Sequence, residues 1–219
     1  TWMGIMQFFS LRSPELEAAR RALGKPVSKS EAEPVGDSFV SAPAGLDPAQ
    51  IICLIDANKF YCACERVFQP SLRNKALVVL TNNDGCVAAL TPEAKALGIK
   101  RGMPAFKFRD LVESGQVEWR SSNYELYGSI SKNIAEILSS IAVRIERYSI
   151  DENFLDITGM TGNPTARARL MRKCVMDWQR IPTCVGLANT KTLAKLANHL
   201  AKDWPVFGGV LNWLELTPE

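Results

Sequence analysis

The stretch Val143-Arg144-Ile145-Glu146-Arg147-Tyr148-Ser149-Ile150-Asp151-Glu152-Asn153-Phe154-Leu155-Asp156-Ile157 decides how the chain is read. Val143–Tyr148 and Asn153–Ile157 have the composition of two strands, and the polar segment between them carries two adjacent acids, Asp151 and Glu152. Working outward, Ile51–Ile55 is a short isoleucine-rich apolar run closed by Asp56, which predicts a buried strand; Ala76–Leu80 predicts another. Asn58–Phe68 places Phe60, Cys64, Val67 and Phe68 on one helical face and stops before Pro70. Thr91 caps a helix whose first position is Pro92 and which ends at Gly98. Further helices are predicted over Tyr124–Leu138, Ala166–Trp178 and Lys191–Lys202, with a strand around Thr183–Leu187. Helices and strands alternate irregularly, so the expected fold class is α+β with a mixed sheet rather than a doubly wound parallel sheet.

Composition narrows the class. The 219 residues are 47% hydrophobic and 22% charged, which excludes collagen-like and wholly disordered chains. Lys plus Arg (26) nearly balances Asp plus Glu (23), so a polyanion partner is neither required nor excluded. The longest apolar runs are five residues, too short to span a membrane. Trp2–Phe9 is apolar but has no cationic flank before it, which argues against a secretory signal. The six cysteines therefore read as reduced thiols of a cytoplasmic protein. Cys62 and Cys64 form a C-x-C pair, but residues two apart on a helix do not face each other and no second pair follows at ligand spacing. Residues 1–50 differ from the rest: Ser13–Gly24 predicts a short capped helix, and Lys25–Gln50, with four prolines, a linker. The folded unit is expected to begin at Ile51.

Two features could carry chemistry. Asp56, Asp151 and Glu152 all sit at predicted strand ends, where clustered carboxylates are costly to desolvate unless divalent cations neutralise them. Ordinary turn acids satisfy the same pattern. Asp156 shares a strand face with Phe154 and is not counted among the ligands. In the helix from Lys191, residues Leu193, Leu196, Ala197 and Leu200 form the expected buried stripe, with Lys191, Lys195 and His199 beside it and Asn189 or Thr190 as cap. Lysine in the first turn of a helix suits phosphate, though a solvated basic face has the same sequence.

Five runs carry a resemblance: Asp56-Ala57-Asn58-Lys59-Phe60-Tyr61, Asn82-Asn83-Asp84-Gly85-Cys86-Val87, Ser121-Ser122-Asn123-Tyr124-Glu125-Leu126-Tyr127, Tyr148-Ser149-Ile150-Asp151-Glu152, and Thr190-Lys191-Thr192-Leu193-Ala194-Lys195-Leu196-Ala197-Asn198-His199. In this order they resemble the Y-family translesion DNA polymerases, and within them the UmuC type, from about Ile51 to Leu211. The resemblance implies that Asp56, Asp151 and Glu152 are catalytic and, with the carbonyl of Ala57, hold two magnesium ions. It implies a deoxynucleoside triphosphate as substrate, with Phe60, Tyr61, Lys95 and Lys191 on the nucleotide side and Tyr61 as the steric gate that clashes with a ribose 2′-hydroxyl. Phe60 and Tyr61 also suit core positions.

The same resemblance implies a palm from 51–66 and 121–204 and small fingers from 67–120, whose short Gly85–Ala89 stretch would leave room for damaged bases. Residues 205–219 would open the thumb region, and the chain reads as a catalytic fragment or truncated polymerase. Implied partners are a primed DNA template, UmuD-type accessory subunits, a recombinase filament and a sliding clamp. Leu90, Pro92 and Asn153 depart from the usual pattern of the type, where arginine, a small or aromatic residue, and alanine stand. A non-catalytic, polymerase-like protein that modulates translesion synthesis through accessory partners is the alternative. A generic two-metal phosphohydrolase shares the acids but leaves Tyr61 without a role.

Overall fold

Alternation along strand β1 (Ile52–Ala57) organises the first sheet. Ile52, Leu54 and Asp56 point to one face, Cys53 and Ile55 to the other, and the four apolar residues from Ile52 to Ile55 are all buried. Burial on both faces is what a central strand requires. A computed structural model describes residues 49–82 and 85–216; the predicted helix at Ser13–Gly24, the linker up to residue 48 and Asn83-Asp84 lie outside them. By internal contacts the chain forms two compact units, one running up to Asp56 and resuming at Lys132, the other Ala57–Ser131.

The first unit holds a five-stranded mixed sheet. Its members are β1, β5 (Arg144–Arg147), β6 (Glu152–Asp156), β7 (Thr183–Ala188) and β8 (Val210–Asn212), in the order β5-β6-β1-β7-β8. β5, β6 and β1 are antiparallel neighbours, whereas β7 and β8 run parallel. Helix α5 (Pro164–Gln179) is capped by Asn163, whose side chain accepts from the Ala166 N–H at 2.8 Å, with Pro164 at its first position. Helix α6 (Lys191–Asp203) is capped by Thr190, which accepts from the Leu193 N–H at 3.2 Å.

Helix α6 lies directly against β7. A Cβ placed on Gly186 would fall 2.2 Å from the Ala194 carbonyl oxygen and 2.3 Å from the Asn198 nitrogen. Such an approach admits only small residues, and this corrects the expected stripe. Ala194, Ala197, Asn198 and Ala201 are the buried positions, while Leu196 is 43% exposed and Leu193 and Leu200 lie at the margin. Hydrophobicity selected the leucines; the spacing between helix and sheet selected the alanines.

The second unit contains a three-stranded sheet, order β3-β2-β4, from β2 (Ala76–Leu80), β3 (Val87–Leu90) and β4 (Val117–Ser121). β2 is antiparallel to β3 and parallel to β4, with Ala76 opposite Val117 and Leu80 opposite Ser121. Val78, Val87, Ala94, Ile99, Phe108 and Val117 form its core, with Trp119 against it. Helix α1 (Phe60–Phe68) starts from Lys59 in the left-handed region, φ 50°, so the chain turns sharply out of β1. Phe68, expected on the buried face, is 39% exposed. Helix α2 (Pro92–Ala96) has its Thr91 cap as expected. Helix α3 (Arg109–Glu113) follows, and helix α4 (Tyr124–Ser139) begins in this unit.

The cysteines behave as core thiols. None of the six is in a disulfide, and all but the half-buried Cys86 are buried. Burial pushes the Cys53 and Cys64 thiols far up and the Cys62 thiol up to about 12, so none of the three is a thiolate at neutral pH. Among the described residues no helix is long and apolar enough to cross a membrane.

Candidate acidic site

The face of β1 and β6 that carries Ile52, Leu54 and Phe154 is apolar at one end, where it packs with Ala188 and Ala194. At the other end the same alternation brings up two acids. Asp56 stands directly opposite Glu152 in the antiparallel ladder, two residues beyond the Leu54–Phe154 pair. Opposed residues in such a ladder have Cα atoms about 4.5–5.5 Å apart. Asp151 immediately precedes β6. Its carboxylate accepts from the Ser149 hydroxyl at 2.7 Å, and the same hydroxyl oxygen accepts from the Glu152 N–H at 3.0 Å. Ser149 thus ties down the turn that presents both acids.

Helix α6 supplies the counter-charges. Lys202 Nζ lies 2.5 Å from Asp56 Oδ2, Lys195 Nζ 3.2 Å from Glu152 Oε2, and Lys191 Nζ 2.6 Å from Glu146 Oε2 on β5. Lys195 also sits over the Tyr148 ring at 4.4 Å and Lys191 over Phe154 at 5.5 Å. Sequence reasoning placed Lys191 and Lys195 on this stripe but passed over Lys202. Its signal was available: positions 191, 195 and 202 project along one line of a 3.6-residue helix. His199, by contrast, is exposed and pairs with Asp203 at 3.4 Å.

The Asp56 carboxyl is held above the usual carboxylate range. Burial is the main cause, Lys202 opposes it, and the negative charges of Asp151 and Glu152 add to it. Three oxygen-donor carboxylates at one sheet end suit a hard divalent cation in chemistry and register. The side chains themselves are turned to lysines and to Ser149; among the described residues no three acidic, imidazole or thiol groups converge closely enough to hold one ion. Ala57 closes β1 beside Asp56 in the chain. Asp156, set aside in the sequence, is buried and bonded to Arg144 at 2.8 Å, a structural pair.

The residues expected on the nucleotide side belong to the second unit. Phe60 is buried, Tyr61 is half-buried, and Lys95 is exposed on the five-residue α2. Tyr61 stacks on Tyr127 with ring centroids 4.5 Å apart and planes 15° from parallel. Tyr124 meets both rings edge-on, at 6.2 Å and 6.3 Å.

Residues 55–199 match the impB/mucB/samB family. The chain belongs to that family. It is 45% identical over 163 residues to protein ImpB of Salmonella typhimurium, covering 74% of this chain and 38% of that protein. It is 46% identical over 156 residues to protein UmuC of Salmonella typhimurium, covering 70% of this chain and 37% of the relative. The insertion ternary complex of Dbh DNA polymerase superposes with a TM-score of 0.65 at 29% identity, over 77% of this chain and 49% of that one. The chain thus spans well under half the length of these two curated impB/mucB/samB relatives. Its α+β architecture with mixed sheets is the one expected from the residues, and the Y-family polymerase likeness read from the five runs is the one these comparisons return.

Proposed function

We propose that the chain carries the catalytic face of a translesion DNA polymerase and contributes to template-directed nucleotidyl transfer onto primed DNA. The observation that carries the reading is the Asp56–Glu152 opposition with Asp151 alongside, the opposed pair being met by two lysines of one helix. Asp56, Asp151 and Glu152, with the Ala57 carbonyl, would hold two divalent cations, magnesium by their oxygen-only donors. Those ions, when bound, supply activation of a primer 3′-hydroxyl and neutralisation of triphosphate charge. The chain's own part is to order the carboxylates through Ser149 and to keep lysines within reach of phosphate. Lys191 and Lys95 are assigned to the triphosphate, Phe60 and Tyr61 to the nucleotide, and Tyr61 to exclusion of the 2′-hydroxyl. Residues 51–66 and 121–204 would serve as palm and 67–120 as fingers.

Primer extension by the purified chain with magnesium, deoxynucleoside triphosphates and a primed template tests this reading. Extension is expected for the native sequence and none for Asp151→Asn or Glu152→Gln; extension at the native rate by either variant refutes the assignment. The pairing of Asp56 and Glu152 with lysines favours one second reading, a polymerase-like chain that binds accessory partners without catalysis. It predicts no extension under any divalent ion, together with retained binding to an accessory subunit of UmuD type or to a sliding clamp.

A further inference from the structure

In the second unit, one side chain has no role in the chemistry proposed above and yet determines where another must lie. Tyr127, on the first turn of α4, is completely buried. Its hydroxyl donates to Glu65 Oε1 at 2.7 Å, and burial together with that carboxylate pushes the phenol far above its ordinary pKa, so it remains a donor at any working pH. One face of its ring is covered by Tyr61, nearly parallel at 4.5 Å, and Phe60 meets it edge-on at 6.5 Å. Glu65 lies one turn beyond Tyr61 on α1, so the hydrogen bond and the stack join the same two helices at neighbouring points.

We propose that Tyr127, anchored by Glu65, is a positioning residue for Tyr61, and that the pair sets how strongly the protein discriminates deoxyribose from ribose. The inference rests on the gate role assigned to Tyr61. A half-buried aromatic ring can reject a hydroxyl only if it cannot swing away. Here one ring face is blocked by a second ring that is itself tethered by a charge-assisted hydrogen bond. Tyr124, edge-on to both rings, closes a second side. Tyr61 is therefore held by packing on an immobile platform, as a discriminating group must be if its displacement is to cost more than the clash.

The test compares affinities of the full chain, bound to primed DNA, for a deoxynucleoside triphosphate and its ribonucleoside counterpart, by titration calorimetry. Single-nucleotide insertion provides the same ratio kinetically. Tyr127→Leu, which removes the stack, is expected to lower the deoxy-over-ribo preference about 3- to 10-fold. Tyr127→Phe keeps the stack and loses only the anchor, so about a 2- to 3-fold loss is expected, and Glu65→Gln should match it. In a Tyr61→Ala background neither change should lower the preference further. Tyr127→Phe is isosteric and guards against a Leu variant that fails to fold, and thermal unfolding of each variant separates selectivity from stability. Unchanged preference in folded Tyr127→Phe, Glu65→Gln and Tyr127→Leu, with a clear loss in Tyr61→Ala, overturns the positioning role while leaving the gate intact. Unchanged preference in Tyr61→Ala, or none in the native chain, overturns the gate reading and this inference with it.

Discussion

Asp56 and Glu152 face each other across the β1–β6 ladder, and each is closed off by a lysine of α6, Lys202 and Lys195 respectively. Two like charges at this separation repel, and the Asp56 side chain is only 14% exposed. The lysines offset both the repulsion and the desolvation. Cationic charge is therefore a structural requirement of this sheet end, met here from within the chain.

Removing one lysine should expose that requirement. Lys202→Met leaves Asp56 buried beside two acids and is expected to cost about 1–3 kcal/mol. Asp56→Asn together with Lys202→Met should recover most of that loss, giving a coupling of about 1 kcal/mol or more in a double-mutant cycle. Urea unfolding at neutral pH measures all four corners; additive losses would mean that the pair contributes nothing.

The seating of α6 on β7 gives a second expectation. Gly186→Ala drives a methyl group to 2.2 Å from the Ala194 carbonyl oxygen, and neither backbone can yield independently. Overpacking of this kind costs about 1–3 kcal/mol, with more where two backbones collide. Unfolding midpoints should fall well below those of an Ala substitution at Gly128 in helix α4, where nothing lies within 4 Å and the backbone is not left-handed.

Asn198 pins the same face of that helix. Its amide donates to the Leu54 carbonyl at 3.3 Å and the Cys184 carbonyl at 2.8 Å, joining β1 and β7 through one buried side chain. Asn198→Leu abandons both bonds and puts two bulkier methyl groups where the planar amide meets the sheet; a loss of about 2–4 kcal/mol is expected. Asn198→Asp should be at least as damaging, because its carboxylate presents acceptors to acceptors. Circular dichroism melts of the two variants decide the order.

Asp156 offers a pH signature. Burial alone would raise its carboxyl, but bonds from Thr158 and Arg144 outweigh it and hold the group below the usual carboxylate range. A depressed folded-state pKa contributes stability that is fully present above the unfolded value, about 3.9, and is lost as pH falls through the folded value. Arg144→Ala should therefore cost about 1–2 kcal/mol at pH 7, the discount reflecting an arginine that is 59% exposed. The gap between variant and native chain should close below about pH 4 as Asp156 protonates in both. A gap independent of pH would show that Arg144 acts through packing alone.

Much of the first unit was legible because its signals are local. The apolar run ending in Asp56, the Thr190 cap and the helical composition over Ala166–Trp178 each depend on near neighbours in the chain, although α5 itself starts two residues earlier, at Pro164. β3, β4 and β8 were missed: they are three to five residues long, and β4 mixes Glu118 and Arg120 with its apolar positions. Their hydrogen-bonding partners lie far away in sequence, as with β4 on β2, so no short window displays them. The α6 stripe was misplaced by one position for a related reason. Periodicity identifies a face, but only the glycine on the facing strand shows that alanines, not leucines, fit beneath it.

Order and residue type alone established the α+β class, the family likeness and the three acids at strand ends, because alternation, capping and motif order are properties of neighbouring residues. Which cations answer those acids, and which ring supports Tyr61, was decided only by folding. Lys202 meets Asp56, and Tyr127 meets Glu65 across 62 residues, through contacts that exist only once sheet and helices have packed.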